Sequence, residues 1–160
     1  MATAADKFNA LVLDFDGTLF PKRFVFAKPT SDPVLVNIVN ILCTQYNFRI
    51  VISSLMSEQG IDKCKETLIE AGINPDLLMP VNWTTLSVGI TTGDRPRQVA
   101  QWYKQHKHEI GDIVIFDDIR CSMVSPVHDF WYECDADSGI TWYSLHRLCA
   151  EYDIIKTKDC

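Results

Sequence analysis

Two rhythms alternate along the chain. Short, nearly unbroken apolar runs occupy 8–14, 48–53 (F-R-I-V-I-S), 112–116 (D-I-V-I-F) and 130–134 (F-W-Y-E-C). Their length and their β-branched and aromatic content predict strands. Between them, apolar residues recur every three or four positions, which predicts helices. Asp32 followed by Pro33 is a helix start, since proline suits the first helical position, and Leu35, Ile38, Val39, Leu42 and Tyr46 continue its apolar face. A second helix has Ile61, Cys64, Leu68 and Ala71 on its apolar face, with Ser57 as its predicted cap and Gly72 as its stop. A third begins at Asp94 and turns Val99, Trp102, Tyr103 and His106 inward. A fourth begins at Thr141, with Trp142, Leu145 and Leu148 inward. Residues 73–94 read as irregular, with a short strand near 86–90, and 21–32 as a proline-rich loop.

Strands alternating with helices imply an α/β fold: a central, mostly parallel sheet with helices on both faces, in three Rossmann-like layers. The 160 residues, 47% of them hydrophobic, suffice for one domain spanning 1–160. No internal repeat, low-complexity tract or linker divides the chain. No apolar run is long enough to span a membrane, and the first ten residues lack the basic start and apolar stretch of a secretion signal. Six cysteines without a C-x-x-C pair read as reduced thiols of a cytoplasmic protein. A net charge of −6 argues against tight, non-specific DNA binding, which positive charge drives, and does not count against binding a divalent cation.

In a parallel sheet, ligands bind at the carboxyl ends of the strands. Three strands deliver polar groups there: Asp14 after the first, Ser53 after the second, and Asp117–Asp118 after the third. In L-V-L-D-F-D-G-T-L-F, Asp14 and Asp16 share a face if the chain stays extended with Phe15 inward. Gly17 then permits a tight turn, and Thr18 bonds back to the loop. Such acids repel, so one holds its proton nearer neutral pH. That suits one as a nucleophile and the other as a general acid. A turn-capping role explains D-x-D-G-T on its own. Four acids at strand ends are far harder to explain without a cation, and magnesium prefers such oxygen ligands.

D-F-D-G-T-L after an apolar strand resembles the first motif of the haloacid dehalogenase-like (HAD) phosphohydrolases. I-V-I-S-S resembles their second motif, T-G-D-R-P-R their basic third, and I-V-I-F-D-D their acidic fourth, all in the family's order. More closely, R-I-V-I-S-S, G-I-T-T-G-D-R-P-R-Q-V-A-Q-W, F-D-D and S-G-I-T-W resemble the small HAD domain of phage and bacterial proteins and of Swiss Army Knife RNA-repair proteins. That pattern usually carries I-S-S-x-W-R, whereas this chain has Ser-Ser-Leu-Met-Ser at 53–57 and lacks the basic residue.

The resemblance implies phosphoryl transfer. Asp14 would attack phosphorus to form an aspartyl-phosphate. Asp16 would protonate the leaving oxygen and later activate water; this acid separates phosphatases from dehalogenases in the family. Ser53 would bond a phosphoryl oxygen, and Arg95 would neutralise charge on the transferring group. Magnesium would be held by Asp14, the Asp16 backbone carbonyl and Asp118, with Asp117 assisting. Ser54 fits the serine role if the strand runs one residue longer, and Arg97 is the alternative to Arg95. Thr18 and Arg120 are further candidates for contacting the substrate.

Only 34 residues separate Thr18 from Ser53 and 41 separate Ser53 from Arg95, so neither gap holds a large cap domain. The site should be open, with 20–32 and 73–94 (including Trp83) as the local candidates to cover it. An open site suits a phosphorylated protein or a nucleic-acid end, or a small nucleotide if a second copy of the chain supplies the lid in a homo-oligomer. The readings left standing are a phosphomonoesterase on nucleotides or nucleic-acid 3′ ends, a phosphoprotein phosphatase, a phosphotransferase, and a non-catalytic magnesium-binding module. The Lys104, His106, Lys107 and His108 cluster reads as a solvated helix end. Trp131, Trp142 and Tyr143 read as core packing in preference to base stacking.

Overall fold

The computed structural model describes residues 7–21, 31–81, 83–118 and 123–152. Five strands form one sheet in the order β2-β1-β3-β4-β5: β1 Asn9–Leu13, β2 Phe48–Ile52, β3 Ile113–Asp117, β4 Trp131–Asp135 and β5 Gly139–Ile140. The first four are parallel, and β5 runs antiparallel to β4. The α-helices are α1 Pro33–Gln45, α2 Ile61–Ala71, α3 Arg95–His106 and α4 Trp142–Tyr152. None of the described helices is long and apolar enough to cross a membrane.

Alternation along the strands sorts the core into two layers. Leu11, Leu13, Ile50, Ile52, Val114 and Phe116 pack on one face with α1, α2 and α4. Ala10, Val12, Val51, Ile113 and Ile115 pack on the other with Val99, Ala100 and Trp102 of α3. β3 is buried along its whole length, as expected for a strand covered on both sides. The three-layer α/β expectation is therefore borne out.

Several local expectations are corrected. Ser57 does not cap α2. Residues Leu55–Gln59 form a 3₁₀ turn capped by the Ser54 hydroxyl, Ser57 donates to the Ser54 carbonyl at 2.6 Å, and α2 starts after Gly60 instead. Ile61, at the first position of α2, is 40% exposed. The strand near 86–90 is a 3₁₀ turn, Thr85–Val88, capped by Thr84. The 73–94 segment does not lie over the site as a lid. It flanks the free edge of β2, bridging Leu78 to Ile50 and Thr84 to Ile52. The Met79 amide donates to the Ile50 carbonyl at 2.8 Å and the Ile52 amide to the Trp83 carbonyl at 2.7 Å, while Trp83 packs against both core layers. Trp142 points outward: Ser144 and Leu148 take the buried face of α4, and at about 100° per residue Trp142 lies on the opposite side from Ser144. Tyr143 is exposed with it, whereas Trp131 is half-buried.

Candidate active site

β1 is bordered by β2 on one side and β3 on the other, so the chain reverses its direction of travel across the sheet between β1 and β3. A crevice opens at the carboxyl ends of strands where this happens. Asp14 leaves β1 there, its amide bonded to the Phe116 carbonyl at 3.0 Å. Ser53 leaves β2 beside it, its amide bonded to the Leu13 carbonyl at 3.0 Å. Asp117 ends β3, with Asp118 next.

The loop after Asp14 is folded tightly. The Thr18 and Phe20 amides both donate to the Phe15 carbonyl, and the Gly17 amide donates to the Phe20 carbonyl. Phe15 is buried and Asp16 exposed, so the two acids straddle an inward-pointing ring as anticipated. Gly17 holds a left-handed φ of 75°. A Cβ there would lie 2.0 Å from Asp118 Oδ2, so only glycine lets Asp118 close against this loop.

Asp14, Asp117 and Asp118 each offer a carboxylate oxygen within 4.8 Å of the others. Arg95, at the start of α3, reaches all three. Its Nε and Nη2 donate to Asp117 at 3.0 and 2.9 Å, a two-toothed pair. The same Nη2 lies 3.4 Å from Asp14 Oδ2 and 3.7 Å from Asp118 Oδ1. Burial pushes the Asp14 carboxyl well above its ordinary range, Asp117 adds to this, and Arg95 offsets part of it. Burial works against the Arg95 charge, but its bond to Asp117 and the surrounding acids outweigh that and raise its pKa.

Two buried hydroxyls, those of Ser53 and Thr18, make no hydrogen bond. The Thr18 side chain lies beside the Cys134 sulfur, a weak partner. Leaving a buried hydroxyl unpaired costs about 1–3 kcal/mol; both residues are fully buried, and neither lines the site's concavity. A concavity of about 210 Å³ is lined by Asp14, Asp16, Ser54, Leu55, Arg95 and Asp118. All its acidic donors are hard oxygens, which suit magnesium.

The structure thus brings together Asp14, Asp16, Ser53, Ser54, Arg95, Asp117 and Asp118. Ser54 lines the concavity, but its hydroxyl caps the 3₁₀ turn by accepting from the Met56 amide at 3.3 Å. Arg97 stays outside: its side chain is 71% exposed and pairs with Asp94. Arg120 lies outside the described residues, as does most of the 20–32 loop. Lys104, Lys107 and His108 are exposed at the far end of α3, and His106 pairs with Glu109. Sequence reasoning missed Leu55, an exposed apolar residue at the mouth of the site. Its position directly after Ser53-Ser54 was the available signal. It also missed that both oxygens of Asp117 serve Arg95.

The family described as "HAD domain in Swiss Army Knife RNA repair proteins" matches residues 10–145, and the chain belongs to it. No curated protein and no solved structure matches the chain.

Proposed function

From membership of this HAD family, whose chemistry is of the phosphatase type, we propose that the chain is a magnesium-dependent phosphomonoesterase working through an aspartyl-phosphate. The observation that carries the reading is the buried Asp14 at the sheet's reversal point, held 3.4 Å from Arg95 and grouped with Asp117 and Asp118.

Asp14 attacks the phosphorus of a phosphomonoester. The bond from phosphorus to the leaving oxygen breaks, its electron pair departs with that oxygen, and Asp16 supplies the proton. Asp16, exposed at the rim, then takes a proton from water as the water attacks phosphorus. Phosphate leaves and the Asp14 carboxylate is restored. The unpaired Ser53 hydroxyl donates to a phosphoryl oxygen, and Arg95 opposes the negative charge of the transferring group. Asp117 holds Arg95 in place with both oxygens, which favours Asp118, Asp14 and the Asp16 carbonyl as the ligands of magnesium. The ion supplies charge neutralisation for acids that otherwise repel.

The open site and the family's description favour a phosphate on a nucleotide or a nucleic-acid end as substrate. The test is phosphate release from p-nitrophenyl phosphate and from nucleotides, with and without magnesium, beside Asp14→Asn. Turnover that needs both magnesium and Asp14 supports the reading. A folded protein that binds magnesium and turns over nothing would make this a binding module.

A further inference from the structure

Two fully buried polar side chains take no part in the chemistry proposed above: Thr85 is 0% exposed and Gln98 1%. Glutamine is mostly exposed in proteins, and a buried amide has to find partners for both of its ends. Gln98 finds them. Its Nε2 donates to the Ile90 carbonyl at 2.7 Å, and its Oε1 accepts from the Thr85 hydroxyl, also at 2.7 Å. The Ile90 carbonyl can only accept, so the amide has one orientation. The Ile52 carbonyl lies 3.5 Å from the same Thr85 hydroxyl.

These bonds connect the segments that carry Ser53 and Arg95. At one end, Thr85 follows the residues paired with the end of β2: Thr84 bridges to Ile52, and the Ile52 amide donates to the Trp83 carbonyl at 2.7 Å. Ser53 is the next residue along. At the other end, Gln98 stands three residues beyond Arg95 in α3, on the same side of the helix one turn on. Its bond to Ile90 ties the chain just ahead of α3 onto that turn. Val99, Ala100 and Trp102 hold α3 against the sheet, but apolar contact is non-directional. Two short hydrogen bonds on one side chain fix where the first turn stands along the helix axis. Arg95 needs that placement. Its two-toothed pair with Asp117, at 2.9 and 3.0 Å, anchors the guanidinium, so a shift of the first turn is taken first from the longer, 3.4 Å contact with Asp14.

We propose that Thr85 and Gln98 are positioning residues, a buried strut that sets the reach of Arg95 to Asp14. The value of that reach for phosphoryl transfer rests on the phosphatase reading above. The strut itself touches no reacting atom. Misplacing a charge-stabilising group by about 1 Å costs on the order of 10²-fold in rate. Arg95 opposes charge that develops during transfer, so the loss falls on kcat and leaves KM nearly unchanged.

The test compares Thr85→Val, Gln98→Met, their combination and Thr85→Ser in the full-length chain, by thermal melting and by p-nitrophenyl phosphate turnover in magnesium. Each apolar replacement alone strands a buried partner. Together they remove both ends of the 2.7 Å bond and leave only the half-buried Ile90 carbonyl without its donor. The melting midpoint of the combination should therefore fall by less than the two single losses added. Turnover should not recover with it: kcat stays on the order of 10²-fold below native, whereas Thr85→Ser, which keeps the hydroxyl, turns over at close to the native rate. Recovery of kcat together with stability makes the pair a packing device and overturns the proposal. A second arm needs no turnover. Thr85→Val, Arg95→Ala and the double variant are melted without magnesium, and the two losses should overlap, because a guanidinium already drawn off Asp14 has less to lose. Strict additivity overturns the strut. Overlapping losses in a chain that turns over nothing remove the phosphatase reading alone, and Asp14-dependent turnover with additive losses removes the strut alone.

Discussion

Replacing Gly17 with alanine tests how closely the two acidic strand ends are fitted together. Two costs arise. The φ of 75° places a non-glycine residue in the left-handed region, at about 1 kcal/mol. The new Cβ would sit 2.0 Å from Asp118 Oδ2, 2.6 Å from its Cγ and 3.2 Å from the Ala136 Cα. Side-chain atoms do not tolerate such approaches, so the carboxylate must retreat by about 1 Å or more. It can do so, because the Asp118 side chain is 15% exposed at the rim of the concavity. The stability loss should therefore be modest, about 2 kcal/mol, or a melting midpoint lower by about 4–8 °C for a chain of this size. Function suffers more, since the displaced Asp118 no longer faces Asp14. Magnesium affinity measured by titration calorimetry should fall on the order of tenfold. The decisive comparison is a double-mutant cycle with Asp118→Asn. If Gly17→Ala acts by moving Asp118, the two losses of magnesium affinity overlap and the double mutant is little worse than either single one. Strict additivity, or native magnesium affinity in Gly17→Ala, would refute the steric account.

Other perturbations have distinct signatures. Ser53→Ala removes an unpaired buried hydroxyl, so denaturant unfolding should show unchanged or slightly raised stability, by up to about 1 kcal/mol, while turnover falls about 10²-fold. Arg95→Ala strips the counter-charge from a buried cluster and should cost about 3 kcal/mol near neutral pH without magnesium. Because Asp14 already titrates above its ordinary range, its proton is bound more tightly in the folded state. Stability from that proton is present at low pH and is lost as pH rises through the raised value, so the Arg95→Ala deficit should shrink on acidification. A deficit that is flat with pH would count against this. Burial pushes the Cys43 thiol up to about 12 and raises those of Cys64 and Cys134. Alkylation mapped by mass spectrometry should therefore leave these three untouched until the protein is unfolded.

The elements that bury apolar surface on both faces were the most legible in the sequence. The run before Asp14 and the run before Asp117 have no alternative to a central strand, and the acids at their ends had to meet once the strands were parallel neighbours. Asp32 before Pro33, and Thr141 whose hydroxyl accepts from the Ser144 amide at 3.2 Å, were readable as caps because capping is a local interaction. Ser57 misled because Ser54, three residues earlier, captures the turn first, a competition among neighbours that composition does not rank. The 73–94 segment was opaque for another reason. Its place is fixed by pairing with the distant edge of β2 and by Thr85, whose hydroxyl lies 2.7 Å from Gln98 Oε1. Helical spacing with Leu145 and Leu148 predicts Trp142 inward, but that spacing does not fix which side of the helix is buried. Its neighbours Ser144 and Leu148, smaller but one turn apart, determine which side of α4 meets the sheet. Of the candidate site, the carboxylates were readable, whereas the division of labour between Asp117 and Asp118 depends on where Arg95 reaches.

The pairing of Leu78–Met79 and Trp83–Thr84 along β2 bears on how copies of this chain can associate. An uncovered strand edge is a template that recruits further strands and leads to ribbons and aggregates. Here one margin of the sheet is occupied by the chain's own backbone. The other ends in β5, two residues long and followed at once by α4. Among the described residues the sheet therefore has no ledge on which to grow, and any self-association must use side-chain surfaces, where the mouth of the site and the aromatic turn of α4 are on offer.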